Sequence, residues 1–200
     1  MSYDSTKDTQ AHIDRVSELL NQAADELRRR GSVHDQSKLA DPEKALFDEY
    51  TPKLKDCTYG SDEYKAFLSA LKPALDHHYA KNSHHPEHYP WHCPVCKLQI
   101  SREAFNALPM LTSEDCEARF CPNCAGNHVI YEAMLMGKPE AGIAGMDLFD
   151  LVEMFFDWKA ATERMANGNI HKSIEINRER FKMDPQVADI FSNTAKRLNY

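Results

Sequence analysis

Seven of the ten histidines fall between His77 and His128, and five of the six cysteines fall between Cys93 and Cys124. Read along the chain, the histidines make an ordered set with carboxylates. His12 comes first, then the doublet His34-Asp35, then His78, then His84-His85 inside Asn82-Ser-His-His-Pro-Glu-His88. Late in the chain Asp150, Glu153 and Asp157 follow at i, i+3 and i+7, on one face of a helix. Neutral imidazoles with a pair of carboxylates are the donor mix that first-row divalent metals favour. Asp150 stands among Phe149, Leu151 and Phe155, where an unpaired charge is costly and a cation removes the cost. Each residue alone has a plainer role, as a core histidine, a solvated turn or a wet helix edge. Their order along the chain is what predicts a metal centre.

The cysteines predict a second, separate centre. Cys93-Pro-Val-Cys96 and Cys121-Pro-Asn-Cys124 are a repeated C-P-x-C with 24 residues between the pairs. Two residues between thiols let one tight turn present both sulfurs to one ion, and two such turns complete a tetrahedral four-thiolate zinc site. Such a site is closed and structural rather than catalytic. It would stabilise an insert of about 55 residues, a size at which a core alone is marginal. The segment resembles a zinc ribbon. Cys57 and Cys116 fall outside the pattern.

The elements that must position these groups are helical. Helical patterns run over about Thr9–Arg29, Asp41–Leu54 and Asp62–Tyr79. They return from Met146 to the break at Asn167-Gly168-Asn169, and then over Ile170–Phe181 and Pro185–Leu198. Asp184 before Pro185 reads as an N-cap followed by an N1 proline. In the first helix His12, Val16, Leu19, Ala23 and Leu27 recur at helical spacing, which predicts a buried His12. In the third, Tyr64, Leu68, Leu71, Leu75 and His78 form the apolar stripe, so His78 faces inward and His77 does not. The expected fold is therefore an all-α bundle made of residues 1–90 and 146–200, interrupted by the zinc-ribbon-like insert 91–145.

At 200 residues, 42% hydrophobic and 28% charged, the chain can bury a core, which excludes wholesale disorder. Its 24 basic and 31 acidic residues give a net charge of −7, without the footprint of a protein that coats nucleic acid. The insert is not basic either, since Lys97, Arg102, Arg119 and Lys138 are set against several acids. No apolar run is long enough to cross a bilayer, and the polar start MSYDSTKDTQ predicts a cytoplasmic protein with no membrane partner.

The series His12, His34-Asp35 and Asp150 resembles the HD-domain superfamily, helical metal-dependent phosphohydrolases named for their His-Asp doublet. Other stretches are similar to a little-characterised family of small HD-like proteins common in phages. They are His34-Asp-Gln-Ser-Lys38, Tyr59-Gly-Ser-Asp-Glu-Tyr64, Asn82 to His88, Met146 to Met154 with Asp157-Trp158, Ser173 to Asn177, and Arg180-Phe181. The resemblance implies an HD-like helical bundle holding one or two divalent ions (Mn, Fe, Co, Ni, Mg or Zn). The implied ligands are His12, His34, Asp35, His78, His84, His85 and Asp150, with Asp35 bridging a binuclear pair. It also implies hydrolysis of a small-molecule phosphate, a nucleotide or deoxynucleotide, by activated water. Lys38, one turn past the doublet, is the candidate for neutralising the substrate phosphate. Lys172, Asn177 and Arg180 are weaker candidates for substrate contacts. Glu153 and Asp157 are expected to move protons or to orient the ligating histidines. His84-His-Pro-Glu87 is similar to part of the HD-GYP phosphodiesterase signature, but no glycine–tyrosine–proline motif follows, which argues against cyclic dinucleotide cleavage. Two other classes fit the residues: an HD-fold di-iron oxygenase, and a non-enzymatic zinc-binding protein that contacts a host factor or nucleic acid.

Overall fold

The computed structural model describes residues 3–57, 61–89, 142–165, 167–181 and 183–200. Between them it describes the short pieces 91–92, 98–100, 110–113, 116–119 and 122–123, together with Cys96. The described residues are mostly helical, as the periodicity predicts. Helix α1 spans Thr6–Val33 and leads through a 3-10 turn, Gln36–Leu39, into α2 (Glu43–Asp56) and α3 (Asp62–Lys81). A second 3-10 turn, Pro86–His88, follows the His-rich loop. After the cysteine-rich segment come α4 (Gly142–Gly145), α5 (Leu148–Glu163), α6 (Ile170–Phe181) and α7 (Pro185–Arg197).

Local chemistry explains where several helices start. Ser61 accepts the Tyr64 amide at the head of α3. At the head of α5, Asp147 and Asp150 form a reciprocal capping box, each carboxylate accepting the other's backbone N–H. Asp184 accepts the Gln186 amide and Pro185 occupies the first turn of α7, as the sequence predicts.

The main core lies where α5, α6 and α7 meet. Met154, Phe155, Ile170, Ile174, Met183, Ala188, Phe191 and Ala195 are buried together there. Phe155 stacks on Phe191 with ring centroids 5.6 Å apart, and Trp158 stacks on Phe181 at 6.4 Å. Helix α3 packs on α2 and buries Leu71 and His78 of its expected stripe together with Ala74, while Tyr64, Leu68 and Leu75 are half-buried. α1 packs on α5, and its half-buried residues begin at Ala23.

Two short antiparallel ladders lie in the cysteine-rich segment. β1 (Trp91–His92) pairs with β2 (Gln99–Ile100), and β3 (Met110–Ser113) pairs with β4 (Cys116–Arg119). Of the predicted zinc ligands Cys96 is described and half-buried, whereas Cys93, Cys121 and Cys124 lie outside the described residues. Among the described residues no helix is long and apolar enough to cross a membrane.

Candidate metal centre

Asp35 is the hinge of the site. It follows His34, the C-cap of α1, and adopts φ 57° and ψ 14°. Aspartate tolerates this left-handed conformation better than most side chains do. The bend turns the chain out of α1 and aims the carboxylate at the histidines. Oδ1 lies 3.2 Å from His78 Nε2 and 3.4 Å from His84 Nε2. Oδ2 lies 3.6 Å from His34 Nε2 and accepts from Lys38 Nζ at 2.6 Å. His85 Nε2 stands 3.0 Å from His78 Nε2. On the far side His34 Nε2 is 3.6 Å from Asp157 Oδ1.

These donors fall into two groups that overlap at His84. One is Asp35, His78, His84 and His85, and the other is His34, His84 and Asp157. In each group the ligand atoms lie within 4.8 Å of one another. Metal–ligand bonds of about 2.0–2.2 Å put neighbouring donors roughly 3.0–3.5 Å apart in tetrahedral or octahedral coordination. The distances around Asp35 Oδ1 match that spacing. Asp35 Oδ1 and His84 Nε2 are buried yet complete no hydrogen bond of proper geometry, although such orphaned polar atoms are rare in folded proteins. A shared cation satisfies both, so the residues fit a metal.

A second layer of carboxylates fixes which ring nitrogen faces inward. Glu43 is fully buried, with Oε2 2.9 Å from His78 Nδ1 and Oε1 2.7 Å from His77 Nδ1. Glu153 Oε1 lies 2.8 Å from Nδ1 of His34 and 3.1 Å from that of His84, while Oε2 accepts from Arg30 Nε at 2.7 Å. A proton held on Nδ1 leaves the lone pair on Nε2, which is how carboxylates orient metal-ligating histidines.

The electrostatics follow from the same contacts. Asp157 and Glu153 raise the His34 pKa to about 10 against the opposing effect of burial. Burial also opposes charge on His84, but Asp35 and Glu153 outweigh it and the net shift is upward. His85 goes the other way, to about 3, through burial and the neighbouring His84 and His78. Burial works to raise Asp35 and Glu153 as well. The rings of His78 and His84 with the Lys38 ammonium hold Asp35 well below the carboxylate range, and His34, His84 and Arg30 do the same for Glu153.

Two predicted ligands are corrected. His12 is exposed, as is the first half of α1 around it, and α1 has no buried residue among those described. At 1.5 Å per residue, His12 stands about 30 Å up the helix from His34. Asp150 is buried but already saturated. Its Oδ1 accepts from Arg30 and from Ser83 Oγ, and its Oδ2 accepts from the Tyr89 hydroxyl and the Asp147 amide. Tyr89 in turn packs against Gly145, where a Cβ would stand 2.7 Å from the ring. Asp150 therefore anchors the His-rich loop to α5, and Asp157, two turns further on, is the α5 aspartate that meets the histidines, beside Glu153.

The remaining candidates divide. Lys38 reaches Asp35 and lies 5.2 Å from the Phe47 ring centroid. Arg180 pairs with Glu87 at 2.8 Å, just past the His-rich loop. Asn177 donates to the Ser173 carbonyl and Lys172 is exposed on α6, so neither is brought to the cluster. Sequence reasoning missed Arg30 and Glu43. Arg30 sits one turn before His34, an i, i+4 spacing that places both on one helix face. Glu43 reads as an ordinary first-turn acid, favoured there by the helix dipole, and nothing in its sequence context signals burial.

Fold and site together define a helical protein carrying a histidine–carboxylate cluster with a buried carboxylate second layer. The chain belongs to a family described as "Family of unknown function (DUF5662)", whose model matches residues 1–110 and 128–197. All the cluster residues lie within the match, whereas Cys116, Cys121 and Cys124 fall in the stretch it leaves out. Comparisons with curated proteins and with solved structures returned no significant match.

Proposed function

We propose that this protein is a metal-dependent phosphohydrolase of HD-like fold acting on a nucleotide or deoxynucleotide phosphate. The observation that carries the reading is Asp35, whose Oδ1 faces His78 and His84 while its Oδ2 faces His34, the arrangement a bridging carboxylate needs. Asp35, His78, His84 and His85 would hold one ion. His34, Asp157 and the second oxygen of Asp35 would hold another. Bound divalent ions supply Lewis acidity at phosphorus and bring the pKa of water toward neutrality.

The chain's own residues do the rest. Glu43 and Glu153 hold the rings in the orientation that turns Nε2 inward. Both Glu153 oxygens are committed, to His34 and His84 on one side and Arg30 on the other, which makes it a positioning residue rather than a proton carrier. Lys38 is one-third exposed beside Asp35, where its ammonium can donate to a phosphate oxygen. Water adds to phosphorus, the bond to the leaving oxygen breaks, and that oxygen takes up a proton. The same proposal keeps a structural zinc on Cys93, Cys96, Cys121 and Cys124, on the strength of their spacing alone.

The test is phosphate release from a nucleotide panel by purified protein loaded with manganese or cobalt. Turnover that disappears in Asp35→Asn supports the reading, and no turnover with metal demonstrably bound overturns it. The corrected donor set of four histidines and two aspartates also matches the ligand set of HD-fold di-iron oxygenases. Copurifying iron with oxygen consumption, in place of phosphate release, would select that second reading.

A further inference from the structure

A groove of about 330 Å³ opens beside the His34–Asp157 end of the cluster, between α1 and α5. Its lining is largely apolar, with Leu27 and Gly31 one turn apart on α1 and Phe156 and Ala160 one turn apart on α5. His34, Glu153 and Asp157 line it as well. Phe156 is 42% exposed, although it belongs to a helix whose neighbouring residues Met154 and Phe155 are core. A Cβ built on Gly31 would meet nothing within 4 Å, so the absent side chain leaves open space in the groove wall. The guanidinium that also lines it, Arg30, is tied to Asp150 and Glu153, so the groove offers apolar contact rather than a spare positive charge. Its volume is at the lower end of the range for small-molecule sites, roughly 300–1,000 Å³. That is room for a ring system and not for an extended polymer.

Resting on the metal-centre reading above, we infer that this groove seats the flat aromatic body of the substrate while its phosphate faces the cluster, and that Gly31 sets which bodies are admitted. An aromatic ring gains by lying against Phe156 and by burial between Leu27 and Ala160. A sugar phosphate lacking a base gains little there. Gly31 is the specificity-determining position because any larger residue would project into the space the ring takes. Replacing it also improves helix propensity, so blocking the groove need not cost the fold.

The experiment is calorimetric binding to manganese-loaded protein, which does not depend on turnover. The probes are the non-hydrolysable phosphonate analogue of deoxyadenosine monophosphate and methylphosphonate, which has the head group without the ring. Wild type should bind the nucleoside phosphonate at least tenfold more tightly than methylphosphonate. Gly31→Leu should erase that preference while manganese content and methylphosphonate affinity stay as in wild type. Phe156→Ala, at an exposed position, should reduce the preference severalfold and carries the test if Gly31→Leu does not fold. Equal binding of both probes by wild type, or an undiminished preference in the folded variants, overturns the inference. If the preference behaves as expected but no nucleotide is hydrolysed, the groove assignment stands and the hydrolase reading alone fails.

Discussion

His78 Nδ1 lies 2.9 Å from Glu43 Oε2, and both side chains are sealed from solvent, at 1% and 0% exposure. A carboxylate is kept wholly inside the protein here, one oxygen holding a proton on one side of the His78 ring and the other facing His77. Its usefulness lies on the other side of the ring, where Nε2 faces Asp35 and His85. Replacing Glu43 with Gln keeps the shape but weakens that hold. Manganese affinity is expected to fall about 10- to 100-fold, the usual cost of losing such a partner. Titration of the variant against wild type checks it, and unchanged affinity would show that Glu43 is packing only.

Asp150 and Asp157 sit on one helix face but are expected to fail in different ways. Asp150→Ala leaves the Arg30 guanidinium facing a cavity with one of its two carboxylate partners gone. Breaking a buried ion pair from one side costs about 3–5 kcal/mol, read as a lower urea midpoint. Asp157→Ala should lower metal content with a smaller stability loss. His12→Ala, on the exposed half of α1, should change stability by no more than about 0.5 kcal/mol and leave metal content intact.

Much of this was legible in the sequence, and the misreadings have a physical cause. Periodicity reports which residues share a face, and it located the buried stripe of α3 ending on His78 and the acidic face of α5. It does not report whether anything packs on that face. The His12–Leu19 stripe of α1 is as regular as the one on α3, yet Val16 and Leu19 remain 40% and 46% exposed. Nor can periodicity choose among three carboxylates on one face. The seating of α1 against α5 puts Arg30 opposite Asp150 and His34 opposite Asp157, a tertiary relationship that no local pattern carries. The doublet and the His-His pair were readable because their spacing is local.

The metal-free chain should lose stability at both ends of the pH range. His34, raised from about 6.5 to about 10 by Asp157 and Glu153, contributes stability that is fully present below pH 6.5 and lost as pH rises through about 10. His85, depressed to about 3, is stabilised as the neutral ring, so its contribution is present above pH 6.5 and lost as pH falls toward 3. Melting temperatures in chelator across pH 4–10 should form a dome. His34→Gln should flatten the alkaline limb and His85→Gln the acid limb.

Metal binding must displace the proton that His34 holds at neutral pH. Affinity for manganese should therefore rise with pH between 6 and 9, with protons released into the buffer. Calorimetry in buffers of different ionisation enthalpy measures that release. A pH-independent affinity with no proton release would mean that His34 is not a ligand.

The central claim is that Asp35 would join His78 and His84 on one side to His34 on the other through a pair of ions. Bound manganese counted by electron paramagnetic resonance, in wild type and in Asp35→Asn, tests it most directly, since Asn keeps the backbone tolerance of that position. The account predicts a spin-coupled pair of ions in wild type and loss of that signal in the variant, with the helical circular dichroism unchanged. Manganese bound equally well by Asp35→Asn, or none bound by wild type, would contradict it.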